Sequence, residues 1–190
     1  MTDSAAGHAQ NLEKFRAYLT LLSRVQIDPR LQGKLDLSGV VQQTLLEAHL
    51  ARERIAGWNE AQQAAWLRRM LANNLTDEVR KLRTDGRDAH REQALRAGLE
   101  ASSARLEAWL IAEQSSPSEQ AERNETALRL ADALEQLPPD ARESLVLQHW
   151  HGWTLAQIAE SLNRTPGAVA GLIHRGLQQL KKILGTLDKS

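Results

Sequence analysis

The stretch Thr154–Lys182, TLAQIAESLNRTPGAVAGLIHRGLQQLKK, decides the fold. Thr154 followed by Gln157 has the form of a capping box, in which each side chain bonds to the other residue's backbone N–H. Leu155, Ile158, Ala159 and Leu162 then share the inner face of a helix barely two turns long, too short to stand without a partner. Asn163 suits the left-handed backbone that ends a helix, Thr165 suits a cap, and Pro166 suits a first turn. A second helix follows, with Val169, Leu172, Ile173, Leu177, Leu180 and Leu184 as its buried stripe. Ala159 falls where the two helices cross, and its small size lets their axes meet at the steep angle of a helix-turn-helix. The outer face carries Arg164, Gly167, Ala168, Ala170, Gly171, His174, Arg175 and Gln178. A major-groove helix needs such a face, small near its start and polar further along. A helical hairpin that only packs has the same periodicity, but the tight Asn-Arg-Thr-Pro turn and the local positive charge favour DNA.

Upstream of this hairpin the charge reverses. From Arg164 to Ser190 five cations stand against one acid, whereas residues 98–143 hold ten acids against four bases. The balanced total of 24 Lys+Arg and 24 Asp+Glu therefore hides a division along the chain. Within LEQLPPDARESL, Pro138 and Pro139 end one helix and open the next. From Thr84 to about Ser118 the apolar pattern weakens through RTDGRDAHREQALRAG to SSPS, which predicts a polar linker over 85–118. N-terminal to it, Leu67, Leu71, Leu75, Val79 and Leu82 form a stripe on a helix that opens at Asn59, with Gln62 as capping partner, and runs to about Arg83. Its other face carries Arg69, Asn73, Asp77, Arg80 and Lys81. An earlier helix over 37–54 buries Val40, Val41, Leu45 and Leu46, and a first helix near 11–25 aligns Phe15, Leu19 and Leu22. Strand alternation and hairpin turns are missing, so the chain is expected to be all-α, with two small helical domains over 8–84 and 119–187.

Several functions are disfavoured at this point. Zero cysteines exclude disulfides, thiolate zinc sites and cysteine nucleophiles. His149 and His151 flank Trp150, but no carboxylate or cysteine stands at ligand spacing, so no metal is expected. No phosphate-binding glycine loop or nucleophile elbow appears, which leaves no catalytic residue to nominate and no cofactor. No long apolar run and no signal-like N-terminus occur, which makes a cytoplasmic protein with no membrane partner the expectation. A net charge of zero argues against a chain that grips DNA unaided, because such affinity comes mainly from cations that displace counterions.

The segment LEQLPPDARESLVLQHWHGWTLAQIAESLNRTPGAVAGLIHRGLQQLKKIL resembles region four, the promoter-binding end, of bacterial RNA polymerase sigma factors of the sigma-70 family. It is most similar to the small extracytoplasmic-function (ECF) branch, which keeps only regions two and four. VVQQTLLEA is similar to the region-two helix that docks on the polymerase clamp, and WLRRMLANNLTDEVRKLR to the helix that meets the minus-ten element. The resemblance implies a sigma factor that works with core RNA polymerase on promoter DNA, with an anti-sigma factor as a further conceivable partner. It implies minus-thirty-five contacts from Arg164, Thr165, Ala168, Ala170, Gly171, His174, Arg175, Lys181 and Lys182. For the melted strand it implies Trp58, Asn59, Trp66, Arg69, Asn73, Arg80, Lys81 and Arg83. For the clamp it implies Asp36, Val40, Gln42, Gln43 and Glu47. Relatives often carry acids where Ser38 and Gly39 stand, and a Lys and an Arg where Ala170 and Leu172 stand. Trp66 beside Leu67 also suits a packed core position, and Arg80, Lys81 and Arg83 an ordinary solvated face. A stand-alone helix-turn-helix regulator is the alternative, and it predicts tight duplex binding without polymerase.

Overall fold

The computed structural model describes residues 12–85 and 117–187. All regular structure among them is helical: α1 (Arg16–Gln26), α2 (Pro29–Gln32), α3 (Leu37–Leu50), α4 (Glu60–Asp85), α5 (Pro117–Glu135), α6 (Pro139–His149), α7 (Leu155–Ser161) and α8 (Pro166–Leu187). The chain divides into two compact units, Met1–Thr126 and Ala127–Ser190. The linker expected over 85–118 falls almost wholly outside the described residues.

In the first unit the long helix α4 is the spine. Leu67, Leu71, Leu75 and Val79 are all buried, as their spacing predicts, against Phe15, Tyr18 and Leu19 of the α1 segment and Val41, Leu45 and Ala48 of α3. Asn74 ties α4 to α3 by donating from Nδ2 to Thr44 Oγ1 at 3.1 Å and to Glu47 Oε2 at 3.2 Å. Leu22 and Leu82, on the same predicted stripes, are only half-buried, and three further details depart from the periodicity. Helix α3 stops at Leu50 instead of reaching residue 54, because the chain turns repeatedly until Gly57, whose φ of 83° suits a residue without a Cβ. Leu46 is 52% exposed, being one residue and thus about 100° round the helix from buried Leu45. Helix α2 has too few residues to show a period. Asp28 caps it, and also pairs with the Arg30 side chain at 2.9 Å. That hydrogen bond raises the guanidinium's pKa above its ordinary value.

In the second unit Leu134, Leu137, Leu145, Leu147, Ile158, Val169 and Ile173 make the core. Pro138 and Pro139 separate α5 from α6 as expected, and Arg142 bonds back across them to Glu135. The buried stripe of α8 is narrower than its leucines predict. Val169 and Ile173 are buried, whereas Leu172, Leu177, Leu180 and Leu184 are half-buried. The reason is length: α8 has 22 residues and α6, which it packs against, has 11. The two helices pack tightly at Gly176, where an added Cβ would lie 3.2 Å from Leu145 Cδ1 and 3.5 Å from Ala141 Cβ. Ala159 is also buried, as its place at the crossing requires.

Candidate nucleic-acid interface

The helix-turn-helix of the second unit is built from local bonds. Gln157 N–H donates to Thr154 Oγ1 at 3.3 Å while Thr154 N–H donates to Gln157 Oε1 at 2.9 Å, which completes the capping box and starts α7. Asn163 takes a φ of 52°, and the Arg164 N–H reaches back to the Ala159 carbonyl at 2.8 Å, the six-to-one bond of a Schellman ending. Thr165 Oγ1 then accepts from Ala168 N–H at 3.2 Å, and α8 begins at Pro166. The turn is thus determined at both ends, and with it the direction in which α8 points its free face.

That face is open. Arg164, Thr165, Gly167, Ala168, Ala170, His174, Arg175, Gln178, Lys181 and Lys182 are all exposed, and Gly171 is half-exposed. Small residues line the first two turns, so an approaching backbone or base edge meets α8 itself. The Arg175 guanidinium folds along this surface over Gly171, where a Cβ would stand 3.1 Å from Nη1. One turn on, His174 Nε2 and Gln178 Nε2 lie 3.0 Å apart. Arg164 is engaged: its Nη2 donates to Asp140 Oδ2 at 2.8 Å. The sequence gives no hint of that partner, which is 24 residues away.

In the first unit the loop before α4 is organised by a second reciprocal cap. Gln62 N–H donates to Asn59 Oδ1 at 2.9 Å and Asn59 N–H to Gln62 Oε1 at 3.0 Å. Trp58 and Trp66 meet edge to face, with centroids 6.1 Å apart and planes at 86°. Both rings are half-buried, so Trp66 is neither an interior residue nor a free platform; it braces Trp58. Gln63 Nε2 donates to the Trp58 carbonyl at 3.0 Å. Asn59, Arg69, Asn73, Arg80 and Lys81 are exposed. Arg80 pairs with Asp77 at 3.4 Å and Lys81 with Glu78 at 3.1 Å, each one turn back on the same helix. Exposed pairs of this kind are worth only about 0–1 kcal/mol and exchange readily for a phosphate. The side chain of Arg83 lies outside the described residues.

Four of the five clamp candidates converge. Asp36, Val40, Gln43 and Glu47 line an open groove of about 640 Å³ between α3 and α4, with Asn74, Asp77, Glu78 and Lys81 on its other wall. Val40 lends only an edge, since it is buried. Gln42 instead lines a second groove with Leu12, Arg16, Leu45, Leu46 and His49. The structure shows what the missing side chain of Gly39 makes room for. Asp36 caps α3 by accepting from Gly39 N–H at 2.8 Å, and its Oδ2 lies 2.3 Å from where a Cβ at residue 39 would be. Asp77, which the sequence reading places on the polar face of this helix, and Glu78, which it does not single out, supply negative charge to this groove. Among the described residues no helix is long and apolar enough to cross a membrane.

Comparison with known proteins agrees with this geometry. The family model for sigma-70, region 4 matches residues 127–180, nearly the whole of the second unit. The RNA polymerase sigma factor CarQ of Myxococcus xanthus is 32% identical over 166 residues, covering 84% of this chain and 86% of CarQ. The ECF RNA polymerase sigma factor SigL of Mycobacterium tuberculosis is 30% identical over 148 residues, with 78% and 74% covered. A shorter match, 36% over 59 residues, links the chain to the RNA polymerase sigma-E factor of Streptomyces antibioticus. The first two matches are longer than the second unit, so they necessarily extend into the first.

Proposed function

Because the chain belongs to the ECF branch of the sigma-70 family of RNA polymerase sigma factors, we propose that its two units divide promoter recognition between them under the control of core RNA polymerase. The chain is a sigma factor: it binds core polymerase and directs transcription initiation at promoters. The likeness to full-length sigma factors, in both units, favours this over the stand-alone regulator.

In the proposed division, α8 enters the major groove of the upstream promoter element. Arg164, Arg175, Lys181 and Lys182 neutralise phosphates and set the register, while His174, Arg175 and the small surface of Ala168, Ala170 and Gly171 meet base edges. The observation that carries this is the continuous exposed face of α8, held outward by the burial of Val169, Ile173 and Gly176 on its other side. With few long side chains on that face, discrimination rests on Arg175, His174 and groove shape. The first unit takes the melted strand. Trp58, braced by Trp66, offers an aromatic edge to an unstacked base, and Asn59, Arg69, Asn73, Arg80 and Lys81 line the path of the backbone. Asp36, Val40, Gln43 and Glu47 face the polymerase clamp from the α3–α4 groove, with Gln42 and exposed Leu46 on the neighbouring surface.

Transcription from purified core polymerase tests the division. A run-off transcript is expected only when the chain is added. Arg175→Ala should cut output on templates that depend on the upstream element. Asn73→Ala should cut it on a closed duplex and be rescued on a template already melted around the start site. Equal losses from both variants on both templates would refute the division of labour, and no binding of the chain to core polymerase would refute the whole proposal.

A further inference from the structure

The cation that leads the reading helix is already occupied. Arg164 stands in the turn before α8, its backbone fixed by the bond to the Ala159 carbonyl. Its guanidinium meets Asp140 at 2.8 Å, in the first turn of α6. The two side chains are 55% and 42% exposed, so a phosphate can reach the guanidinium without any part of the fold opening. A carboxylate at this distance nevertheless cancels most of the field that a phosphate would feel. We infer that Asp140 is an internal competitor for Arg164, holding the leading cation of α8 against the protein so that the second unit's grip on duplex DNA is deliberately weak. This rests on the proposal that α8 enters the major groove, and it adds a residue to that site which does not itself face DNA.

The physical consequence is graded, since an exposed ion pair is weak. On binding, a phosphate either displaces Asp140, which then recovers a counterion, or shares Arg164 with it. In both cases Arg164 contributes less than one full counterion release. Removing the carboxylate restores the whole charge. The expected tightening is about two- to fivefold, the range of an exposed pair, and the slope of log affinity against log salt should steepen by up to about 0.9.

The test uses polymerase holoenzyme reconstituted with the full chain, titrated on a labelled duplex promoter fragment over a salt series. Asp140→Asn keeps the size and removes the charge; it should bind about two- to fivefold tighter with the steeper slope. Arg164→Ala should bind more weakly, and adding Asp140→Asn to it should change nothing. Asp140→Glu retains the charge and should bind no tighter than the wild type, which separates the charge effect from any loss of helix stability at the start of α6. If Asp140→Asn is silent or weakens binding, Asp140 merely orients Arg164 and the inference is wrong. If it tightens binding equally without Arg164, the carboxylate repels DNA directly and the competitor role is again wrong. A wild-type holoenzyme with no sequence preference would overturn the groove assignment itself, whereas a selective wild type with a silent Asp140→Asn overturns only the competitor.

Discussion

Gly176 sets how closely α8 can lie on α6, and graded substitution there should show it. A helical glycine exchanged for alanine ordinarily gains about 0.5–1 kcal/mol from reduced chain entropy. Here the new methyl meets Leu145 Cδ1 at 3.2 Å and Ala141 Cβ at 3.5 Å, and Leu145 is 1% exposed, with no solvent to retreat into. The two effects are of similar size, so Gly176→Ala should fall within about 1 kcal/mol of the wild type. Gly176→Val adds two more carbons to the same space and recovers less helix propensity, so overpacking of about 1–3 kcal/mol should dominate. A unit the size of Ala127–Ser190 has about 3–10 kcal/mol in total at typical stability per residue, which makes the valine a serious loss. Amide hydrogen exchange on the full chain separates the units: protection should fall in α6, α7 and α8 of the valine variant and stay unchanged in α4. Promoter binding by the holoenzyme should fall with it, because the reading helix loses its seat while every DNA-facing residue remains. Valine protected as well as wild type would refute the assignment of Gly176 as the limiting contact.

Three further perturbations follow from the local geometry. Asp36→Ala should cost about 1 kcal/mol as a lost cap, but close to nothing in a Gly39→Ala background, where the added Cβ has already expelled the carboxylate; additive effects in a double-mutant cycle by urea unfolding would contradict the 2.3 Å contact. Asn163→Gly should leave the melting temperature of the second unit nearly unchanged, whereas Asn163→Ala should lower its stability by about 1 kcal/mol because alanine tolerates a positive φ poorly; an alanine variant as stable as the glycine one would sink this account of the turn. Gly171→Ser places a side chain where the Arg175 guanidinium now rests, so promoter preference, read by binding to a library of upstream sequences, should shift at the bases that Arg175 and residue 171 meet, with the fold's melting temperature unchanged or slightly raised.

Much of the fold is legible in the sequence where it depends on neighbours along the chain. The Asn59–Gln62 and Thr154–Gln157 caps, the left-handed Asn163, the proline starts and the stripe from Leu67 to Val79 all lie within one or two turns of their partners, and all stand as the spacing predicts. Errors arise where burial depends on how much protein happens to lie opposite. Leu177, Leu180 and Leu184 have the right period but outrun the short helices that cover α8, and Leu46 continues an apolar run onto the solvent side. Glycines were the least legible. Gly39 and Gly176 look like mere gaps in helical patterns, yet one makes room for a capping carboxylate and the other for a neighbouring helix. The pairing of Arg164 with Asp140 was invisible for the same reason, since nothing in a one-dimensional pattern brings the start of α6 to the turn before α8.

The charge balance of the chain acquires a meaning once these pairs are placed. A protein of zero net charge with a patch of cations at its C-terminal end still has a basic face on paper. In three dimensions Arg164 is met by Asp140, Arg80 by Asp77 and Lys81 by Glu78, so part of the positive charge is offset by neighbouring acids in both units. Were Arg164, Arg175, Lys181 and Lys182 each to hold a phosphate, the salt slope would be about −3.6, well short of proteins that bind through six to ten such contacts. On the proposed division of labour each unit is accordingly expected to read DNA selectively but weakly. Weakness is an advantage for a subunit that must act at promoters only when polymerase is present: tethering both units to one large partner raises their effective concentration at adjacent DNA elements, and two modest affinities multiply. Greater basicity would instead let the free chain occupy promoters without the enzyme that makes occupancy productive.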